Sequence, residues 1–207
     1  MTADFESTVF HYRKKALELA LKYESADVAS LQMDLREAMH FRHSVLELGC
    51  GSGRDAAFLN RLGTSGSITA TDASPEMLRE AGRIHPEIAV SLEKLVLPHD
   101  LHTMAGAGRR FSGVYSIAAL MHLSLEHIEE TIGLLELITE PGGILFLSVC
   151  TERDNDNGQE ERIFTLQPPK WWKKQIEKTC FRIAEMKTTP DGLDRKNTSW
   201  INITAVR

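Results

Sequence analysis

Gly49, Gly51 and Gly53 stand at alternate positions directly after the apolar run Val45-Leu46-Glu47-Leu48, and a helical pattern follows them. Glycine has no Cβ and accepts positive φ, so such a loop lets backbone come close to a ligand, at an entropic cost an ordinary turn does not incur. A second apolar run, Ile68-Thr69-Ala70-Thr71, ends in Asp72, 19 positions beyond Gly53. Strand, glycine loop, helix, strand, acid is the order with which doubly wound α/β proteins hold an adenosine, the acid accepting hydrogen bonds from the ribose hydroxyls. A nicotinamide dinucleotide site wants glycine at 49, 51 and 54; here the third glycine is Gly53, and Arg54 follows it.

These residues need elements to position them. Apolar positions at helical spacing (Phe10, Ala16, Leu17, Ala20, Leu21), and again from Ala29 to Met39, predict two helices ahead of the first strand, placed to cap a ligand cleft. Strands are then expected at 44–48, 67–71, 92–98, 112–117 and 143–149, with helices at 53–62, 75–83 and 124–139. This alternation predicts an α/β fold, doubly wound, with a mostly parallel seven-stranded sheet and helices on both faces. Ser74-Pro75-Glu76 reads as a capped helix start, and Pro141-Gly142-Gly143 as a helix stop turning into a strand. Thr151 to Glu161 is polar and acidic without an apolar period, hence a long loop; a helix follows Pro168-Pro169. Phe181–Met186 and Trp200–Val206 form a C-terminal antiparallel hairpin around a turn-rich segment. The whole reads as one domain: a helical cap at 1–43, a ligand-binding core at 44–150, and a loop, helix and hairpin at 151–207.

With 207 residues and a net charge of −5, the chain can bury a sizeable core and has no global basic field to attract nucleic acid. No apolar run approaches the roughly 20 residues of a membrane span, and residues 2–6 lack a signal-peptide pattern, so a cytoplasmic protein with no membrane partner is expected. Cys50, Cys150 and Cys180 are too few and scattered for a disulfide framework; reduced, mostly buried thiols are expected. Lys170, Lys173, Lys174 and Lys178 read as a solvated helix face. Of the adjacent Trp171 and Trp172, at most one can face a substrate, and core packing is the better reading. The pairs His40/His43 and His99/His102 have no third ligand beside them, so no metal is expected. There is no hydrolase nucleophile elbow around Ser52.

Taken together, the loop Glu47-Leu48-Gly49-Cys50-Gly51-Ser52-Gly53, the segment Thr71 to Leu78 with its acid, Leu120-Met121-His122-Leu123, and Pro141-Gly142-Gly143 make this sequence resemble the class I S-adenosylmethionine-dependent methyltransferases over about residues 8–207. Gly53-Arg54-Asp55-Ala56, a tyrosine-containing first helix and a tryptophan-containing last strand are similar to small bacterial members acting on small molecules. The resemblance implies S-adenosylmethionine as cofactor and a small-molecule methyl acceptor as partner, with a monomer or homodimer. Gly49, Cys50, Gly51 and Gly53 would form the cofactor loop, Gly49 and Gly51 against the methionine part, with Glu47 nearby. Asp72 would hold the ribose, and Ala73 and Met77 would line the adenine pocket. Asp100-Leu101 would meet the adenine edge, with Glu93 as competitor. Ala118 and Ala119 would flank the sulfonium. Tyr12 would close over the cofactor, or only pack a helix. Ser112 stands where the family usually has aspartate, at a position that is generally structural. A non-catalytic cofactor-binding protein and a tRNA or protein methyltransferase are the alternatives.

Methyl transfer from a sulfonium is an in-line displacement, in which orientation can supply about 7–11 kcal/mol of the barrier. An alcohol or phenol acceptor also needs a base. His122 is the candidate, at the mouth of the substrate site, because histidine titrates near neutrality; the alternative is that it only hydrogen-bonds its own loop. Arg162, with Phe164, could clamp a carboxylate or other anion of the substrate, or form a surface salt bridge.

Overall fold

The computed structural model describes residues 3–63, 66–153 and 162–207, with side chains from Thr8 onward. Seven strands form one sheet in the order β3-β2-β1-β4-β5-β7-β6. β1 (Ser44–Leu48), β2 (Ser67–Asp72), β3 (Leu92–Lys94), β4 (Phe111–Ile117) and β5 (Thr139–Glu152) run parallel. β7 (Ser199–Val206) inserts antiparallel between β5 and β6 (Arg182–Thr189), giving the expected terminal hairpin. From β1 the chain winds outward to β2 and β3, and then returns to β4 on the other side. The loops after β1 and β4 therefore part at the C-terminal ends of their strands, where open α/β sheets bind ligands.

Helices cover both faces. Against one pack α6 (His99–Gly106), α7 (Leu125–Ile138) and α8 (Pro169–Ile176), burying Leu101, Ile132, Leu135 and Trp172 with Leu46 and Leu48 of β1. On the other, α3 (Ala29–Met39) and α4 (Arg54–Leu62) bury Leu35, Met39, Ala57 and Leu59 with Val45. Because side chains alternate along a strand, Glu47 points to the same face as Val45. Trp172 is fully buried while its neighbour Trp171 is half-buried, and Lys170, Lys173, Lys174 and Lys178 are exposed. Ser112, in place of the family's aspartate, clips β4 to β1 by accepting from Ser44 N and donating to Ser44 O, both at 3.0 Å.

The elements depart from expectation at four places. The first predicted helix breaks at Lys15 into α1 (Ala3–Lys14) and α2 (Ala16–Glu24). Its buried face is Ala16, Leu19 and Ala20, whereas Phe10, Leu17 and Leu21 are exposed. Ala16 and Ala20 pack on Met77 of α5 (Pro75–Ile84), so the break turns α2 onto α5. The third strand stops at Lys94, because Leu95, Val96 and Leu97 turn into the core and cavity instead of continuing the ladder. The unforeseen α6 follows, too short and weakly periodic to show in the sequence. Pro141-Gly142-Gly143 sits inside β5 as an irregularity after α7 has ended at Ile138; Gly142 is at φ +74°. The expected long loop begins two residues later than predicted, since β5 includes Thr151 and Glu152; residues 154–161 of that loop lie outside the described residues.

Candidate active site

The glycine loop is fastened to the end of β2. Gly49 N and Cys50 N both donate to Thr71 O (2.8 and 2.7 Å), and Thr71 Oγ1 donates to Glu47 O (2.7 Å). Asp72 completes the link: one carboxylate oxygen accepts Gly51 N at 3.0 Å, the other Ser74 N at 2.8 Å. Ser74 then caps α5 by accepting Met77 N at 3.2 Å, with Pro75 at the first helical position. Burial pushes the Asp72 carboxyl up to about 6, against the pull of its backbone donors.

Two of the glycines are sterically required. At Gly49 (φ +77°) a Cβ would stand 2.3 Å from the Cβ of Ala119; at Gly53 (φ +81°) it would stand 2.8 Å from Ile88 Cδ1. The first closeness seats the loop after β4 against the loop after β1. The second packs the start of α4 on the 3-10 turn Pro86–Ser91 that carries Ile88. Ala118, at φ +57°, makes the turn out of β4 in the left-handed region, a conformation that costs a non-glycine residue about 1–3 kcal/mol and clusters at functional sites.

These loops form the floor of a cavity of about 520 Å³. Of the residues expected to bind the cofactor, Tyr12, Glu47, Gly49, Cys50, Gly51, Asp72, Ala73, Ala118 and Ala119 line it, and so do His122 and Arg162. Gly53 lies off the wall, as does Met77, which is buried beneath Gly51. Asp100 and Leu101 are also away from the cavity: the Asp100 carboxylate accepts Val96 N at 2.7 Å and Leu101 is in the core. Glu93 is held by Arg109 at 2.9 Å. The segment after β3 reaches the cavity instead through Leu95 and Leu97.

Glu47 is only 2% exposed, and its Oε2 is buried with no hydrogen-bond partner, beside its cross-strand neighbour Tyr115. Burial first, and then the Asp55 charge, raise its carboxyl well above the ordinary range. The Cys50 thiol is likewise pushed up by burial, which makes it inert as a nucleophile.

The N-terminal helices line the cavity through Thr8, Val9, Tyr12 and Tyr23, and what holds them there is not visible in the spacing of their residues. Arg54 Nη1 donates to Tyr23 O at 2.7 Å, while its Nε and Nη2 form a two-point pair with Asp55. Gln32 of α3 donates to the same carboxylate at 3.0 Å. The Gly53-Arg54-Asp55-Ala56 stretch thus ties the cap to the glycine loop. On the opposite side, Thr8 Oγ1 accepts Ile163 N at 3.0 Å, and the Tyr12 hydroxyl lies 3.0 Å from His122 Nε2. His122 Nδ1 is 2.8 Å from Ile163 O. A carbonyl can only accept, so Nδ1 carries the proton; in the neutral ring Nε2 is the basic nitrogen and receives the Tyr12 O–H. Tyr23 donates in turn to the Tyr12 oxygen at 3.4 Å, as does Arg162 Nη1 at 3.4 Å.

The far end of the cavity is built by the segment after residue 189. Asp191 accepts Arg195 Nε (3.0 Å) and Nη2 (2.5 Å) together with Trp200 Nε1 (2.9 Å). Burial alone would raise the Asp191 carboxyl, but these donors outweigh it and hold it at about 2. The histidine pairs noted in the sequence are engaged separately: His43 with Glu140 (3.2 Å) and His102 with Glu130 (2.6 Å). Among the described residues, no three His, Cys, Asp or Glu side chains group as a metal site, and no helix is long and apolar enough to cross a membrane.

A family model described as "Methyltransferase domain" matches residues 45–143, from β1 to the start of β5. The fold is that of many solved structures. A 1,6-didemethyltoxoflavin-N1-methyltransferase from Burkholderia thailandensis, with its substrate and S-adenosylhomocysteine bound, is 16% identical, with 100% of this chain and 91% of that one covered and a TM-score of 0.75. The DhpI–S-adenosylhomocysteine complex is 21% identical over 98% and 96%, with a TM-score of 0.66. A Haloferax volcanii protein described as a putative methyltransferase, in complex with the Trm112 methyltransferase activator, is 16% identical over 96% of both chains, with a TM-score of 0.72. No curated protein matches the sequence. Residues 45–143 are thus similar to the methyltransferase-domain family, and the fold is the one shared with these solved structures.

Proposed function

We propose that the protein transfers a methyl group from S-adenosylmethionine to a small-molecule acceptor. One observation carries this: a single cavity is lined both by the Asp72-anchored glycine loop and by aromatic and arginine side chains, with His122 and Tyr12 along its wall. The cavity fits the cofactor by its own chemistry. Glu47 Oε2, buried without a partner, is an acceptor for the ammonium of the methionine part, and the Asp72 carboxylate is an acceptor for ribose hydroxyls. Gly49 leaves no Cβ between the loop and the ligand.

The bound cofactor supplies a methyl group already activated on a sulfonium. The chain has to orient the acceptor, exclude water and take a proton. Ala118 and Ala119 line the cavity beside the glycine loop. Leu95, Leu97 and Ala73 wall the adenine region. The cap, fixed by Arg54 and by Thr8, keeps bulk water out. An acceptor hydroxyl or N–H passes its proton to the Tyr12 oxygen as Tyr12 passes its own to His122 Nε2, leaving the imidazolium held by the Ile163 carbonyl. General-base help of this kind supplies about 10²–10⁴-fold.

Isothermal calorimetry with S-adenosylhomocysteine tests the cofactor half of the reading; absence of binding to the wild-type chain would sink it. A library of small acceptors, followed by S-adenosylhomocysteine release, tests the transfer.

A further inference from the structure

Tyr12 and Tyr23 lie 11 residues apart, about three turns of helix, and despite the break at Lys15 both rings line the cavity. Tyr23 also sits over the glycine loop. A Cβ at Gly51 would stand 3.6 Å from Tyr23 Cδ2 and 3.8 Å from its Cε2, so the ring edge lies over the bare side of that glycine. Its neighbours fix it there. Arg54 Nη1 holds the Tyr23 carbonyl at 2.7 Å, and the carboxylate of the next residue, Glu24, is bonded to His85 Nε2 at 3.1 Å. The ring itself, with Tyr12 and Ile84, packs on Ala16, Ala20 and Met77.

From this seat the Tyr23 hydroxyl donates to the Tyr12 oxygen at 3.4 Å, and the Tyr12 hydroxyl lies 3.0 Å from His122 Nε2. A phenol has a single hydrogen to give. Turned toward Tyr23, the Tyr12 hydrogen would meet the Tyr23 hydrogen head-on; turned toward His122 Nε2, it satisfies both bonds. Burial pushes the Tyr23 phenol above its ordinary value, so it keeps the proton it donates. Arg162 Nη1 donates to the same Tyr12 oxygen at 3.4 Å and acts in the same sense. Bonds of that length are weak, so each biases the Tyr12 hydroxyl without locking it. A row of contacts therefore runs from the glycine loop to the basic nitrogen, through Gly51, Tyr23, Tyr12 and His122.

We propose that Tyr23 is a positioning residue: seated on the glycine loop, it turns the Tyr12 hydroxyl toward His122 and so keeps the proton acceptor in register with the loop that holds the methyl donor. This rests on the methyltransferase reading and adds to it the part that ties donor and base together. The effect of Tyr23 runs through Tyr12.

The test uses the full chain with ¹⁵N-labelled histidine, saturated with S-adenosylhomocysteine, at a pH where the His122 ring is neutral. It reads the Nε2 resonance of His122, assigned by its loss in His122→Gln. An imidazole nitrogen that accepts a hydrogen bond resonates upfield of one that accepts none. Tyr12→Phe should therefore move the resonance downfield. Tyr23→Phe, which keeps the ring on Gly51, should move it the same way by a smaller amount, and should add nothing in the Tyr12→Phe chain. A ring that only packs would leave the Tyr23→Phe resonance at its wild-type position, and that result overturns the proposal. An equal Tyr23→Phe shift in the chain lacking the Tyr12 hydroxyl also overturns it, because the effect would then bypass Tyr12. One arm needs no variant to fold: a wild-type Nε2 found at the position of a nitrogen that accepts nothing overturns the proposal by itself. The cofactor titration separates the two readings. If S-adenosylhomocysteine fails to bind, the methyltransferase assignment falls and the positioning role with it, whereas cofactor binding with an unmoved Tyr23→Phe resonance overturns the positioning role alone.

Discussion

Tyr12 reaches from the cap to place its hydroxyl 3.0 Å from His122 Nε2, the nitrogen left basic by the bond between Nδ1 and the Ile163 carbonyl. In the proposed mechanism, the position of the cap and the position of the base are therefore set by one contact. His122→Gln should lower kcat by about 10²–10⁴-fold for a hydroxyl acceptor. Tyr12→Phe, which keeps the ring over the cavity, should lower kcat with a smaller change in KM. S-adenosylhomocysteine affinity, measured by calorimetry, should stay close to wild type in both. Unchanged kcat in both variants would reduce His122 to a support for its own loop.

In the proposed function, Asp72 would link cofactor binding to pH. Its folded value of about 6 lies above the ordinary 3.8, so its stabilising effect is full below pH 3.8 and is lost as pH rises through 6 in the ligand-free protein. Ribose hydroxyls donating to the carboxylate favour the ionised form and pull that value back down. S-adenosylhomocysteine should thus bind more tightly as pH rises from 4 to 7, by up to about 100-fold, and level off above. Calorimetry near pH 5 in buffers of different ionisation enthalpy should detect a released proton. Asp72→Asn should remove the part of the pH dependence centred near pH 6, leaving the part due to Glu47, and weaken binding at pH 8 by about one to two orders of magnitude, the worth of losing charged hydrogen bonds.

The glycine loop, Asp72 and the β-α alternation were legible because each is local: a strand edge, a turn that only glycine makes, and a helix start marked by Ser74-Pro75. Asp100-Leu101 shows where locality runs out. The resemblance matches this acid and apolar residue to a pair at the adenine edge, but whether it faces the cavity depends on where β3 ends, and the apolar run Leu95–Leu97 looks like more strand while in fact it turns inward. The break at Lys15 is hidden for a related reason, since Phe10, Leu17 and Leu21 carry the helical period yet are exposed. Arg54 could be noticed in the sequence, but its bond to Tyr23 O joins positions 31 residues apart and requires the folded cap.

Gly49 is expected to tolerate nothing larger. Gly49→Ala combines a left-handed φ, costing about 1–2 kcal/mol, with an overlap against Ala119 of the kind that costs about 1–3 kcal/mol. The two costs can be separated. Ala119→Gly in the same chain removes the overlap and should restore part of the lost melting temperature and cofactor affinity, leaving the φ cost behind. Full restoration would assign the whole effect to sterics, and none would mean that Ala119 is not what Gly49 makes room for.

Glu47 should show stability given up for binding. Its folded carboxyl titrates well above the unfolded value of 4.5, so the stability it contributes is full below pH 4.5 and falls as pH climbs toward the folded value. Each pH unit in that interval costs up to about 1.4 kcal/mol. Glu47→Gln keeps the shape and cannot ionise. The variant should therefore melt higher than wild type at pH 8 and converge with it near pH 4, with about 2–4 °C gained per kcal/mol for a chain of this size. Its affinity for S-adenosylhomocysteine should nevertheless fall, because the ammonium of the methionine part loses its charged acceptor. A variant that melts lower than wild type at pH 8 would show that Glu47 is a structural ion held by its surroundings, and not a carboxylate kept unpaired for a ligand.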